Sequence, residues 1–108
     1  MRGHEHRVAP ESQKLALQAC ARAVLTAALS AGQLDFRTAR DSLERANRQL
    51  QVLRSQLPLH ARRVRMALSA VSKAEQAIKA AEVVSLDPDA AVKSAERAQR
   101  AARAILDQ

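Results

Sequence analysis

The chain has 108 residues, which is the size of a single domain, and a formal net charge of +7. It contains one phenylalanine and no tryptophan or tyrosine, so its core must be built from aliphatic side chains. Two glycines, three prolines and no β-branched or aromatic runs leave little room for strands, so the composition predicts an all-α protein. Cys20 is the only cysteine, which excludes an internal disulfide and favours a reducing compartment, so we expect a cytoplasmic protein.

The first ten residues show no apolar periodicity. Met1 to Pro10 combines charged residues with His4 and His6, and it predicts a flexible arm ahead of a single helical domain over residues 11–108. Two histidines on a flexible arm are weak metal ligands, and the sequence contains no Glu-x-x-His pair and no Cys-x-x-Cys-His motif. We therefore expect no metal and no cofactor.

Helix 1 is predicted from about Glu11 to Ala31. Gly32 follows it, and glycine suits the left-handed residue that ends many helices. The predicted core side consists of Leu17, Cys20, Val24, Ala27, Ala28 and Ala31. This is the most apolar stretch of the chain, but Gln18 and Arg22 interrupt it, so we expect neither a membrane span nor a signal peptide.

Three large side chains of helix 1 fall outside this core side. Leu15, Leu25 and Leu29 lie among the polar residues of the helix. They are candidate contacts in an oligomer, because a monomer seldom exposes a row of leucines. The alternative is that they are scattered exposed leucines without a role.

Helices 2 and 3 share one heptad register. Large residues repeat at one position, namely Phe36, Leu43, Leu50, Leu57, Val64, Val71 and Ile78, while the other position is mostly alanine, namely Ala39, Ala46, Ala67, Ala74 and Ala81. This pattern is typical of closely packed helices. Asp35 is expected to cap helix 2, which runs to about Gln56, and helix 3 is predicted over roughly Pro58 to Val84.

Pro58 allows two interpretations of this register. Residues 36–81 form either one long kinked helix or a hairpin whose two arms share their phase. Folding the chain back at Pro58 places large residues opposite alanines and brings Arg40 beside Glu75. We favour the hairpin for this reason.

Helix 4 has the clearest start signal in the chain. Asp87-Pro88-Asp89 places an acidic cap, a first-turn proline and a second acid at a helix N-terminus. The helix is predicted to run to about Asp107, with a core side of Ala91, Val92, Ala95, Ala98, Ala102, Ile105 and Leu106. The four helices together predict a small antiparallel bundle in up-down-up-down order, with coiled-coil-like packing of alanine and leucine.

Arginines cluster around the link between helices 2 and 3. They occupy the first turns of helix 3, where cations oppose the helix dipole, and the residues just before the link. With cations of helix 4 they form a candidate phosphate-contact set for nucleic acid: Arg54, Arg62, Arg63, Arg65, Lys93, Arg97 and Arg100. The alternative is a solvated basic face. His60 falls on a core heptad position and is expected to close the end of the core.

No pattern in the sequence indicates catalysis. We find no Ser-His-Asp set, no glycine-rich phosphate loop and no paired carboxylates, and we expect neither an enzyme nor a small-molecule substrate. The leading hypothesis is a non-enzymatic interaction or assembly module that acts through protein-protein contacts, either as a homo-oligomer or with a helical partner. The alternative is a small basic accessory protein that binds DNA or RNA through sequence-nonspecific phosphate contacts.

Overall fold

The computed structural model describes residues 10–56 and 60–108, which form four helices. They are α1 (Pro10–Gly32), α2 (Phe36–Ser55), α3 (Ala61–Glu82) and α4 (Pro88–Leu106). No strand occurs in the described residues, and the predicted all-α bundle is confirmed. The N-terminal arm lies outside the described residues, except for Pro10, with which α1 begins.

Helix α1 is central to the packing. It contacts each of the other three helices, and α3 contacts α2 and α4 as well, whereas α2 and α4 do not meet within the described part of the chain. The cross-section is therefore a rhombus with α1 and α3 on its short diagonal. A short diagonal requires small side chains, because helix axes approach closely only where the residues between them are small.

Alanine supplies most of the core. Among the residues that the structure describes, seventeen of the 25 buried hydrophobic residues are alanines. All five alanines of the heptad register in α2 and α3 are buried, whereas the large heptad residues divide into buried (Leu50, Val71, Ile78) and half-buried (Phe36, Leu43, Val64). The helices thus meet along their alanine positions, and the larger residues flank these contacts.

The hairpin of α2 and α3 is confirmed. Arg40 on α2 forms an ion pair with Glu82 on α3, and Ala39 shares a buried cluster with Ile78. The expected partner of Arg40 was wrong, since the ion pair uses Glu82 and not Glu75, one heptad earlier. Helix α3 begins at Ala61, three residues later than predicted. Pro58 itself lies outside the described residues.

Two predicted caps are confirmed. The Asp35 side chain accepts a hydrogen bond from the Thr38 N–H at 3.2 Å, and Asp87 accepts one from the Ala90 N–H at 3.0 Å. His60 was expected to close the core, and this is wrong. It is the exposed residue that precedes α3, and its side chain makes no capping hydrogen bond. Because the helix starts after it, His60 does not follow the heptad geometry that placed it inside.

Candidate interaction surfaces

The two short turns of the bundle lie at the same end. The α1–α2 turn covers residues 33–35, the α3–α4 turn covers residues 83–87, and side chains of both turns line one pocket. Four of the exposed large hydrophobic residues are concentrated here, namely Leu34 (52% exposed), Val83 (48%), Leu86 (82%) and Val92 (57%). Leu34 and Val92 line the pocket. We refer to these four residues and the pocket as the turn end.

Leu34 occupies the left-handed position that ends α1. Its φ is +62°, its N–H bonds to the Ala31 carbonyl at 3.0 Å, and the Asp35 N–H bonds to the Ser30 carbonyl at 2.9 Å. This is a Schellman motif with leucine where glycine is usual. Gly32 was expected in that position, but it is the last residue of α1 and its φ is not positive. The left-handed backbone costs a residue with a Cβ about 1–2 kcal/mol, so a strained leucine stands in front of the pocket.

Leu86 protrudes from the α3–α4 turn. It immediately precedes the Asp87 cap, a position whose apolar side chain often packs on the fourth residue of the helix. That fourth residue is Ala91, which offers little surface, and Leu86 remains 82% exposed. The turn itself is ordered by backbone hydrogen bonds, including Leu86 N–H to the Val83 carbonyl at 2.9 Å. An exposed leucine is thus held in a defined place.

The pocket of the turn end is apolar and is formed by small residues. It has a volume of about 230 Å³ and lies between the end of α1, the end of α3 and the start of α4. Its walls are Ala31, Gly32, Leu34, Ala77, Ala81, Val84, Ala91, Val92, Ala95, Glu96 and Gln99. Val92 was expected in the core and is instead exposed, because it lies on the wall of this open pocket where no other helix covers it.

Positive charge is segregated toward the opposite end of the bundle. When each helix is divided at its midpoint, the half away from the turn end holds nine cations and two acids among the described residues, counting the central Arg97. The half with the turn end holds seven cations and eight acids among them. We call these the basic half and the near-neutral half. Such segregation gives the two ends different electrostatic partners.

Two of the seven predicted phosphate-contact residues line a shallow groove between α3 and α4. Arg62 and Arg65 line it on α3, together with Lys73, and its floor includes Met66, Ala101 and Ile105. On α4, Lys93, Arg97 and Arg100 follow the i, i+4, i+7 spacing of one helix face, and all three are exposed. Lys93 lies in the near-neutral half and Arg54 at the end of α2, outside the groove lining.

Arg63 is engaged within the bundle. Its guanidinium donates a hydrogen bond to Gln13 Oε1 at 3.0 Å, and Gln13 is only 2% exposed. The contact joins the start of α1 to the start of α3. A buried amide needs a hydrogen-bond partner, so Arg63 has a structural task that its neighbours Arg62 and Arg65 do not share.

The three candidate oligomer leucines of α1 have different environments. Leu15 is 61% exposed and Leu29 is 45% exposed, whereas Leu25 is half-buried and packs against the core. Arg22 lies exposed on the same face, between Leu15 and Leu29. The face is therefore not a continuous apolar stripe. Leu29, in the last turns of α1, is the member closest to the turn end.

By length and composition α1 could cross a membrane. The stretch Glu11–Gly32 is apolar enough for a span despite Gln18 and Arg22, so these residues do not exclude one as the sequence argument assumed. Rather more than half of its most apolar window, 56%, is buried inside the bundle. A core helix of a folded domain meets the same criteria, and α1 occupies that position here.

The remaining chemically distinctive residues have structural surroundings. The Cys20 thiol is fully buried, lies 3.5 Å from the Ala46 carbonyl oxygen and has its pKa raised to about 11 by burial. Within residues 10–56 and 60–108, no three His, Cys, Asp or Glu side chains are grouped as a metal site requires. His4 and His6 lie outside the described residues.

Comparisons with known proteins give no relative. No family model matches the chain, and no curated protein and no solved structure is similar to it.

Proposed function

We propose that this protein is a non-enzymatic interaction module that self-associates through protein-protein contacts. The observation that supports the proposal best is the turn end, where two exposed large hydrophobic side chains line an apolar pocket and two more project from the turn that contributes Val84 to its wall. Exposed apolar residues that are scattered singly need no explanation, but a cluster beside a concave apolar surface is typical of a binding site.

The backbone at Leu34 strengthens this proposal. A glycine at position 34 would adopt the left-handed backbone without strain and would expose no apolar side chain to water. In an isolated molecule leucine is therefore less favourable than glycine here, both in backbone strain and in exposed apolar surface. Non-glycine residues in left-handed geometry concentrate at functional sites, which is consistent with a binding role for this side chain.

Sedimentation equilibrium tests the proposal. We expect the apparent mass to rise from 11.8 kDa toward twice that value between about 10 µM and about 1 mM, the range of small interfaces. The rise should persist in high salt, because burial of apolar surface is not screened by ions. A mass that stays at 11.8 kDa throughout this range would contradict self-association.

A second candidate function is nonspecific binding of DNA or RNA. The observation that favours it is the pair of cation rows beside the α3–α4 groove, in the more basic half of the bundle. Each row follows one helix, so successive cations are about 4.5–12 Å apart along the bundle. Contacts from such rows to phosphates carry no sequence information.

Titration of a labelled duplex at several salt concentrations tests this candidate. We expect Arg62→Ala with Arg65→Ala to weaken binding and to reduce the salt slope by about 0.9 per lost phosphate contact. The matched control, Arg37→Ala with Lys79→Ala, removes two exposed charges from the near-neutral half. If both pairs weaken binding equally, net charge alone acts and the groove is not the site.

A further inference from the structure

We infer that the turn end is a two-fold contact between two copies of this chain, in which Leu86 of each copy enters the pocket of the other. This inference rests on the proposed self-association and specifies its surface. The same end of the molecule carries both a protruding apolar side chain, 82% exposed, and an apolar cavity of about 230 Å³. A two-fold interface requires one surface to be complementary to itself, and a projection beside a cavity meets this condition.

The cavity has suitable size and chemistry for a leucine side chain. Six of its eleven lining residues are alanine or glycine, namely Ala31, Gly32, Ala77, Ala81, Ala91 and Ala95. Because these residues carry at most one side-chain carbon, none of them reaches into the space. The volume exceeds that of a single leucine side chain, so Leu86 can enter without displacing the walls. Filling an apolar cavity with an apolar side chain removes both surfaces from water.

Charge favours this end over the other for contact between identical copies. The basic half, with nine cations and two acids among the described residues, repels a second basic half. The near-neutral half carries both signs, including Asp89 and Glu96 on α4 and Lys79 on α3. Two copies that meet at their turn ends therefore bring together halves with little net charge and keep their basic halves farthest apart.

The small area of the turn end determines the strength of this contact. With helices about 10 Å in diameter, the end of a four-helix bundle covers roughly 400 Å² per copy, or about 800 Å² in total. Interfaces of that size are weak and transient. We therefore expect an equilibrium between monomer and dimer. The experiment must detect a small fraction of dimer at high protein concentration.

Paramagnetic broadening between two differently labelled copies locates the contact. One sample is the Ser85→Cys variant without ¹⁵N, which carries a nitroxide at this exposed position next to Leu86. It is mixed with a second sample of ¹⁵N-labelled wild type. Buried Cys20, with its raised pKa, reacts little with the label. We expect broadening at the amides of Ala31, Ala81 and Ala95 in the pocket. A nitroxide at Ser12→Cys, in the first turn of α1, should leave these amides sharp.

Two variants test the projection and the cavity separately. Leu86→Ser removes the projecting side chain, and Ala95→Leu fills the pocket from within, and we expect each to raise the dimer Kd at least tenfold. Leu68→Ser is the control, since Leu68 is 43% exposed on α3 and does not line the pocket. It should leave the Kd unchanged.

The outcomes separate this inference from the proposed function. If the wild type dimerises but both variants dimerise equally well, or broadening falls outside the turn end, the self-association stands and this surface is wrong. If the wild type remains monomeric at about 1 mM, both fail. If the protein is monomeric and a helical Lys/Leu peptide shifts the pocket amides, the pocket serves a different protein and the inference is overturned.

Discussion

Replacing Ala98 by leucine tests whether this bundle depends on close contact between its helices. Ala98 is fully buried in the alanine-rich core, and leucine adds three carbon atoms where no space is open. Overpacking of this kind costs about 1–3 kcal/mol, because neighbouring side chains and backbones must move. For a domain of this size each kcal/mol lowers the melting temperature by about 4–8 °C.

The matched control for this substitution is Ala104→Leu on the same helix. Ala104 is exposed beside the α3–α4 groove, so the added carbons meet solvent or the groove wall and the stability changes by less than about 0.5 kcal/mol. Thermal unfolding followed by circular dichroism at 222 nm compares the two variants. Equal melting temperatures for Ala98→Leu and Ala104→Leu would refute the argument that small residues set the helix spacing.

Three further predictions concern single residues. Gly32→Ala should raise the free energy of unfolding by about 0.4–1 kcal/mol, because an added Cβ meets no atom within 4 Å and the unfolded chain loses freedom; chemical denaturation measures this, and a loss of stability would contradict it. The hydrogen bond from the Thr38 side chain, followed by that from its N–H, lowers the pKa of Asp35 below 3.8, so its carboxylate stabilises the fold fully above that pH and less as pH falls further. Asp35→Ala should therefore lower the melting temperature more at pH 6 than at pH 2.5, and an equal deficit would exclude the charge as the cause. Cys20 should react with a thiol reagent at pH 8 only after unfolding in denaturant, since burial raises its pKa to about 11; a fast reaction in the native state would show that α1 opens.

Local signals in the sequence predicted the starts of α2 and α4 correctly. Asp35 and Asp87 both cap the helices expected of them, because an N-cap depends only on residues within one turn. The core side of α1 was also predicted correctly, since every residue assigned to it is buried. These features need no information about distant parts of the chain.

Features that depend on how helix ends meet were not predictable from periodicity. The apolar periodicity of α4 assigns Val92 to the core, but this periodicity carries no information on where the neighbouring helices end. Val92 is therefore exposed although it follows the pattern. Likewise the choice between Gly32 and Leu34 for the left-handed position depends on which turn closes the hairpin. The register that places Ala39 beside Ile78 sets Arg40 between Glu75 and Glu82, and it does not choose which of these two acids forms the ion pair.

The candidate surfaces were predictable only in part. The arginines before and within α3 were visible as a cluster in the sequence. They are exposed, as a contact surface requires, except for Arg63, which bonds to Gln13. The turn end was missed. Its signal was a leucine directly before the Asp87-Pro88 cap with only alanine four residues into the helix, which leaves that leucine without a local partner.

The segregation of charge along the bundle makes a single copy an electric dipole with its positive pole at the basic half. In the field of a polyanion such a molecule experiences a torque that turns its positive pole toward the polyanion. The turn end then points away from the polyanion into solution. Two copies joined at their turn ends have opposed dipoles that cancel and leave a rod about 70 Å long with a positive pole at each tip. If both proposals hold, one copy alone would coat a polyanion, whereas the paired rod would link two of them, and protein concentration would select between these behaviours.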